Sequence, residues 1–132
     1  MGAIYIVGTA DTKAPELAYL RKVIAAQYPD FVLVDIGTAT ESEGVDIAAK
    51  TVAACHPEGV GAVLGLQDRG RAVAAMGLAF ERFILAQSDV AAVIGIGGGG
   101  GTSMICTGLR ALPLGVPKLM VSTLASGDVA PY

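Results

Sequence analysis

Ala91-Ala92-Val93-Ile94-Gly95-Ile96-Gly97 runs directly into Gly98-Gly99-Gly100-Gly101-Thr102-Ser103, and this junction decides the fold. A β-rich apolar run empties into five consecutive glycines, Gly97 to Gly101, then a Thr-Ser pair and a segment of helical character. Glycine has no Cβ, so its backbone can turn with positive φ and approach a ligand closely. Its amides can then face an anion, which the partial positive charge of a following helix N-terminus favours. A flexible linker shares the composition, but a linker is not preceded by Val-Ile-Gly-Ile. The reading is strand, phosphate-cradling loop at Gly97, Gly98, Gly99, Gly100 and Gly101, then helix from Thr102. The competing reading is a purely structural tight turn.

Working outward, Ile4-Tyr5-Ile6-Val7 is short, β-branched and aromatic and breaks at Gly8, as a buried strand does. Pro15 suits the first turn of a helix, and Leu17, Leu20 and Ile24 carry an apolar stripe to Gln27. Phe31-Val32-Leu33-Val34 is a second strand closing at Asp35-Ile36-Gly37. Thr38 to Gly44 is a polar loop, and Val45 to Ala54 reads as a helix. Ala62 to Leu66 fits a short strand or a helical turn, the turn being preferred. Val73, Met76, Phe80, Phe83 and Ile84 recur at helical spacing between Arg69 and Gln87. After the strand Val90–Ile96 and a helix from Thr102 to Leu112, Lys118–Val121 forms a last strand.

Strands apolar throughout, alternating with helices, describe a parallel sheet covered on both faces. The expected fold is α/β, a Rossmann-like three-layer sandwich with a mainly parallel sheet, occupying residues 1–132 as one nucleotide-binding domain. The chain has 132 residues, the size of one ordinary domain. Its net charge of −3 offers nothing to draw it to nucleic acid or an anionic membrane. The charge-free stretch from Asp89 to Arg110 is long enough for a membrane span. Its glycines argue against one, each costing about 1 kcal/mol inside a helix. Cys55 and Cys106 lie in no ligand cluster, and no signal peptide opens the chain; a cytoplasmic protein is expected.

In an open α/β sheet, ligands bind beyond the carboxyl ends of the strands. Each such end here carries polar punctuation: Thr9, Asp11, Thr12 and Lys13 after the first strand, Asp35 and Gly37 after the second. The glycines and Thr102 follow the third, and Ser122, Thr123, Ser126, Gly127 and Asp128 the fourth. Taken singly, such residues cap helices as often as they bind ligands. Four loops on one rim favour a site. The glycine amides would hold phosphates with Thr102 as cap or ligand, and Lys13 would add a point charge. Asp11 or Asp128 could hold Mg²⁺ directly or through water, and Asp35 stands where nucleotide-binding sheets place a carboxylate for ribose. Asp68 and Arg69, opening the long helix, could reach the same rim, or be an N-cap beside a surface arginine.

Two familiar templates fit badly. No lysine follows Gly101, as a Walker loop requires, and no acidic residue lies twenty positions beyond the glycines, as a dinucleotide fingerprint requires. With its single histidine in a loop beside Pro57, the chain does not suggest a serine hydrolase.

The blocks Gly8–Lys13 with Glu16–Arg21, Asp68–Gly70 with Ala72–Met76, Ile94–Gly98, and Pro117–Asp128 occur in an order that resembles a two-domain family catalogued as uncharacterised. Its plant branch is the tomato mosaic virus resistance protein family, in which the N-terminal module is called the ATP-binding domain. The resemblance implies an ATP site with Mg²⁺, and in the plant branch a role in blocking a viral replication protein. Relatives accompany or are fused to a barrel resembling phosphoenolpyruvate hydrolase, which becomes a candidate partner. Gly99 stands where a serine is usual in the family's glycine run. Members are also considerably longer, so the expectation is a fragment whose exposed last strand is covered by a further domain or by self-association. A nucleotide-modulated interaction module and a nicotinamide-dependent oxidoreductase are the alternatives to a plain ATP-binding module.

Overall fold

The structure is a computed structural model that describes residues 2–132. Four strands, β1 (Ala3–Gly8), β2 (Phe31–Asp35), β3 (Val90–Gly97) and β4 (Lys118–Ser122), form one sheet in the order β2-β1-β3-β4. All three pairings are parallel, with Ile6 opposite Leu33 and Ile94, and Ile94 opposite Leu119. The helices are α1 (Ala10–Ala25), α2 (Ala49–Ala53), α3 (Arg69–Ala86) and α4 (Gly99–Ala111), with short 3-10 turns at Val60–Ala62 and Thr123–Ser126.

The alternation of side chains along each strand sorts the core into two layers. Tyr5, Val7, Val34 and Val93 pack with Met76, Phe80, Ile84 and Ile105 of α3 and α4, and with Val52 of α2. Ile6 and Leu33 point the other way, against Ala10 and Leu17 of α1. The sheet is therefore covered on both faces, as expected from strands that are apolar on both sides. Fully burying a side chain such as Phe80, Met76 or Ile84 (each 0% exposed) stabilises by about 1.5–3 kcal/mol. Where α3 meets α4, small residues replace bulk. A Cβ on Gly108 would lie 2.5 Å from Phe80 Cε2, so the ring fills the place of the missing side chain.

Three local differences from the expected elements have clear causes. Residues 45–48 are not helical. Ile47 instead bridges Val34 in parallel, and Asp46 accepts the Leu33 N–H over 2.8 Å, so backbone pairing along the β2 edge overrides the apolar spacing. Only Ala49–Ala53 remain helical. The α1 element starts earlier than Pro15 but breaks at Lys13 (φ −124°, ψ 24°), so the proline still sits in the first turn after a kink. The α4 helix opens at Gly99 rather than Thr102. On the α1 side of the sheet, β4 is bare. Leu119 and Val121 are 55% and 52% exposed, their neighbours on β3 being Ile94 and Ile96.

Candidate functional site

The chain leaves β1 for β2 on one side of it and returns to β3 on the other. The loops after β1 and β3 are therefore drawn apart, leaving the crevice where open α/β sheets bind ligands. A cavity of about 250 Å³ lies there. Thr9, Asp11, Thr12 and Lys13 contribute from the β1–α1 junction, Thr38 and Ala39 from the loop after β2, Arg69 and Val73 from α3, and Gly98 to Gly101 with Met104 from α4.

The glycine run turns out to be mostly helix. Gly98 is the N-cap, Gly99, Gly100 and Gly101 form the first turn of α4, and the first intrahelical bond is Thr102 N–H to Gly98 O at 2.9 Å. Positive φ occurs at Gly44, Gly59 and Gly65 and nowhere in the run. Handedness is thus not why glycine is needed; close approach is. A Cβ on Gly97 would stand 3.0 Å from both Gly101 Cα and Gly101 C, so only glycine lets β3 pass directly under the helix start. The first-turn N–H groups of a helix have no carbonyl partner four residues back, and no side chain caps this end among the described residues. These donors, with the helix dipole behind them, face a cavity that also holds the Lys13 ammonium and the Arg69 guanidinium. A Cβ on Gly100 would lie 3.4 Å from Arg69 Nη2, so that guanidinium sits directly beside the glycine turn.

Among the described residues, Asp11 is the one carboxylate that lines the cavity. Its Oδ2 accepts the Ala39 N–H over 3.1 Å, and Gly37 packs on it so closely that a Cβ there would come within 2.8 Å of Asp11 Cγ. Thr9 and Thr12 share a hydroxyl–hydroxyl bond of 2.6 Å at the rim. The contact between Lys13 and Glu16 is loose, at 3.9 Å, and leaves the ammonium available to an anion.

Other residues expected at the rim are elsewhere. Asp35 is 1% exposed and turned inward, where its Oδ1 accepts the N–H groups of Ala10 (2.9 Å) and Gly37 (2.8 Å). A ribose hydroxyl cannot reach it. Burial raises its pKa above the ordinary carboxylate value, the two N–H donors oppose that rise, and the nearby Asp11 charge adds to it. Asp68 is the N-cap of α3, accepting the Arg71 N–H over 3.0 Å. Thr102 is buried, neither cap nor exposed ligand; its Oγ1 lies 2.5 Å from Ser122 Oγ, tying α4 to the end of β4. Ser122 and Thr123 border a neighbouring groove. Ser126 donates to Thr123 O, and Asp128 accepts the Ala130 N–H in an exposed turn, away from the cavity. Ala39, Val73 and Met104 line the cavity without having been expected there. Val73 and Met104 belong to helix stripes that also build the core, so periodicity alone does not separate the two roles.

Among the described residues no group of three His, Cys, Asp or Glu side chains could hold a metal by itself, and no helix is long and apolar enough to cross a membrane.

Similarity to known proteins agrees with the sequence pattern. The N-terminal domain model of an uncharacterised protein family, UPF0261, matches residues 2–132. UPF0261 proteins of Rhizobium meliloti and Mesorhizobium japonicum are each 61% identical over all 132 residues, covering 33% of their own length. The ToMV resistance protein Tm-1(GCR237) of Solanum lycopersicum is 34% identical over 148 residues, covering 98% of this chain and 20% of the tomato protein. The chain thus spans about a third of the length of the bacterial relatives it matches. It belongs to the UPF0261 family, as its N-terminal domain.

Proposed function

We propose that this domain binds a nucleotide through its phosphates, with ATP and Mg²⁺ as the preferred ligand. The observation that carries the reading is the convergence of an uncapped helix N-terminus, Lys13 and Arg69 on one cavity at the switch point of the sheet. Backbone N–H groups of a glycine turn favour phosphate by geometry and charge together. Lys13 supplies a point charge, while the planar guanidinium of Arg69 can grip two phosphate oxygens at once.

The residues also suit Mg²⁺ carried in with the phosphates. Mg²⁺ keeps several waters and is commonly held by one or two carboxylates plus substrate phosphates, and the cavity offers one carboxylate, Asp11. Asp11 would hold the metal from the same carboxylate whose Oδ2 accepts the Ala39 N–H. The Thr9, Thr12 and Thr38 side chains would complete the polar wall around the phosphates.

Calorimetric titration with ATP, ADP, inorganic tripolyphosphate and NADH, each with and without Mg²⁺, tests the reading. Mg²⁺-dependent binding of ATP that weakens in Lys13→Ala and Arg69→Ala supports it. A chain that melts cooperatively yet binds none of these ligands overturns it, and binding of NADH alone would turn the reading toward a nicotinamide cofactor.

A further inference from the structure

Asp35 carries one oxygen for which the fold supplies no donor. Its Oδ1 takes the N–H groups of Ala10 and Gly37, while Oδ2 is buried with no hydrogen-bond partner among the described residues. Such an atom is uncommon, because buried polar groups are hydrogen-bonded and buried charges are paired or coordinate a metal. Beyond the end of β2 lies a small pocket of about 180 Å³, walled by Asp35, Glu41, Ser42 and residues 48–51. Neither Ala10 nor Gly37 lines it, so Asp35 meets this pocket on its Oδ2 side. Glu41, Lys50 and Thr51 are exposed and Asp35 is buried, so the pocket runs from solvent down to the carboxylate.

The polar side chains of the wall carry oxygen, with one exception. The Glu41 carboxylate and the hydroxyls of Ser42 and Thr51 join Asp35, and Lys50 brings an ammonium. With both acids ionised the wall holds two negative charges and one positive, which leaves one negative charge unmatched. Lys50 is not the missing donor. It makes no ion pair among the described residues, and it also lines the adjoining pocket beside Thr38 and Leu64. A water molecule's share of liquid volume is about 30 Å³, so the pocket has room for an ion together with several of its waters. Water alone would satisfy the hydrogen bond and leave the charge.

We propose that this pocket is a monovalent cation site, taking Na⁺ or K⁺ on Asp35 Oδ2 with Glu41, Ser42 and Thr51 as further oxygen donors. Carboxylate oxygens suit hard cations, and one positive charge balances the wall where two would overshoot. The site is separate from the phosphate cavity and stands whether or not that cavity takes a nucleotide. Because Asp35 also holds the backbone of Ala10 and Gly37, an ion here fixes the loops after β1 and β2 and stabilises the folded chain.

The test follows thermal unfolding at neutral pH in NaCl, KCl and choline chloride of equal ionic strength. Choline, whose charge is wrapped in methyl groups, cannot coordinate an oxygen and serves as the reference. A ligand of the native state raises the midpoint, and the parent is expected to melt about 3 °C or more higher in NaCl or KCl than in choline chloride. The larger rise names the ion. Asp35→Asn should melt at the parent's choline midpoint in all three salts. Thr51→Val, at an exposed position, should show a smaller rise than the parent, and Lys50→Met, which removes a competing charge, a larger one. Sodium NMR line broadening that KCl reverses, present with the parent and absent with Asp35→Asn, reads the binding directly. Equal midpoints of the parent in the three salts overturn the proposal, as does an undiminished rise in Asp35→Asn. If the parent gains nothing and Lys50→Met melts lower in choline chloride, Lys50 is itself the partner of Oδ2, which overturns it too.

Discussion

The carboxylate of Asp35, at the end of β2, accepts the backbone N–H of Ala10 at the start of α1 over 2.9 Å. A second bond, from Gly37 N–H at 2.8 Å to the same oxygen, holds the loop after β2 against the loop after β1. Its other oxygen, Oδ2, is buried and has no partner among the described residues. Asp35 therefore organises the two loops that carry Asp11, Lys13 and Ala39 to the cavity.

Asp35→Ala leaves two buried N–H groups unpaired, and each such loss costs about 1–3 kcal/mol. A fall of at least ~2 kcal/mol in denaturant unfolding free energy is expected. Asp35→Asn keeps an acceptor for both donors and removes a buried charge, so it should retain the parent's stability at neutral pH.

The pH dependence follows from the same residue. Burial raises the folded-state pKa above the ordinary carboxylate value, so the native state binds the Asp35 proton more tightly than the unfolded chain does. This contribution favours folding below the ordinary carboxylate value and is lost as pH rises through the raised one. Unfolding midpoints measured across that acidic window should fall less steeply with rising pH in Asp35→Asn than in the parent.

Gly97→Ala places a methyl 3.0 Å from Gly101 backbone atoms. Backbone cannot swing away as a side chain can, so β3 and the first turn of α4 must separate. Overpacking of this kind costs about 1–3 kcal/mol. Phosphate binding should suffer in addition, because the donors of the glycine turn move; titration with ATP after matching the fraction folded separates the two effects.

Gly108→Ala drives a methyl into the Phe80 ring, 2.5 Å from Cε2. The expected loss is again about 1–3 kcal/mol, without change in ligand affinity of the folded fraction. Phe80→Leu in the same chain should recover part of it, since the two positions compete for one volume. A double-mutant cycle by chemical denaturation reads the coupling.

Lys13→Ala and Arg69→Ala should each weaken ATP binding about five- to thirtyfold, as removal of a charge-assisted bond worth about 1–2 kcal/mol would do at a partly solvated site. Neither side chain holds the core together, so thermal midpoints without ligand should move by less than about 2 °C.

Much of the architecture was legible in the residues. Apolar runs at Ile4–Val7, Phe31–Val34 and Val90–Ile96 name three strands of a parallel sheet, because only strands buried on both faces are apolar throughout. The Val73–Met76–Phe80–Phe83 spacing names α3, and all four residues pack into the same layer. Of the helix expected over residues 45–54, Ala49–Ala53 is present, and residues 45–48 differ because β-edge pairing at Ile47 has no signature in a helical spacing. The rim was legible in part. Lys13, Arg69 and the glycines meet, whereas Asp35 and Thr102 are taken up by internal bonds that only folded neighbours supply.

By itself, then, the sequence determined the class of fold, the two faces of the sheet and a glycine-rich strand-to-helix junction at one end of it. These depend on local periodicity and on backbone chemistry that each residue carries with it. Tertiary structure decided which polar residues face the cavity and which brace it. It also decided that Gly97 serves close packing of β3 under α4, with no left-handed turn anywhere in the glycine run, and that Tyr19 and Val121 line one open slot. Those outcomes depend on which strands become neighbours. The β2-β1-β3-β4 order juxtaposes loops that are far apart in the chain, and solvent exclusion between them assigns each side chain its role.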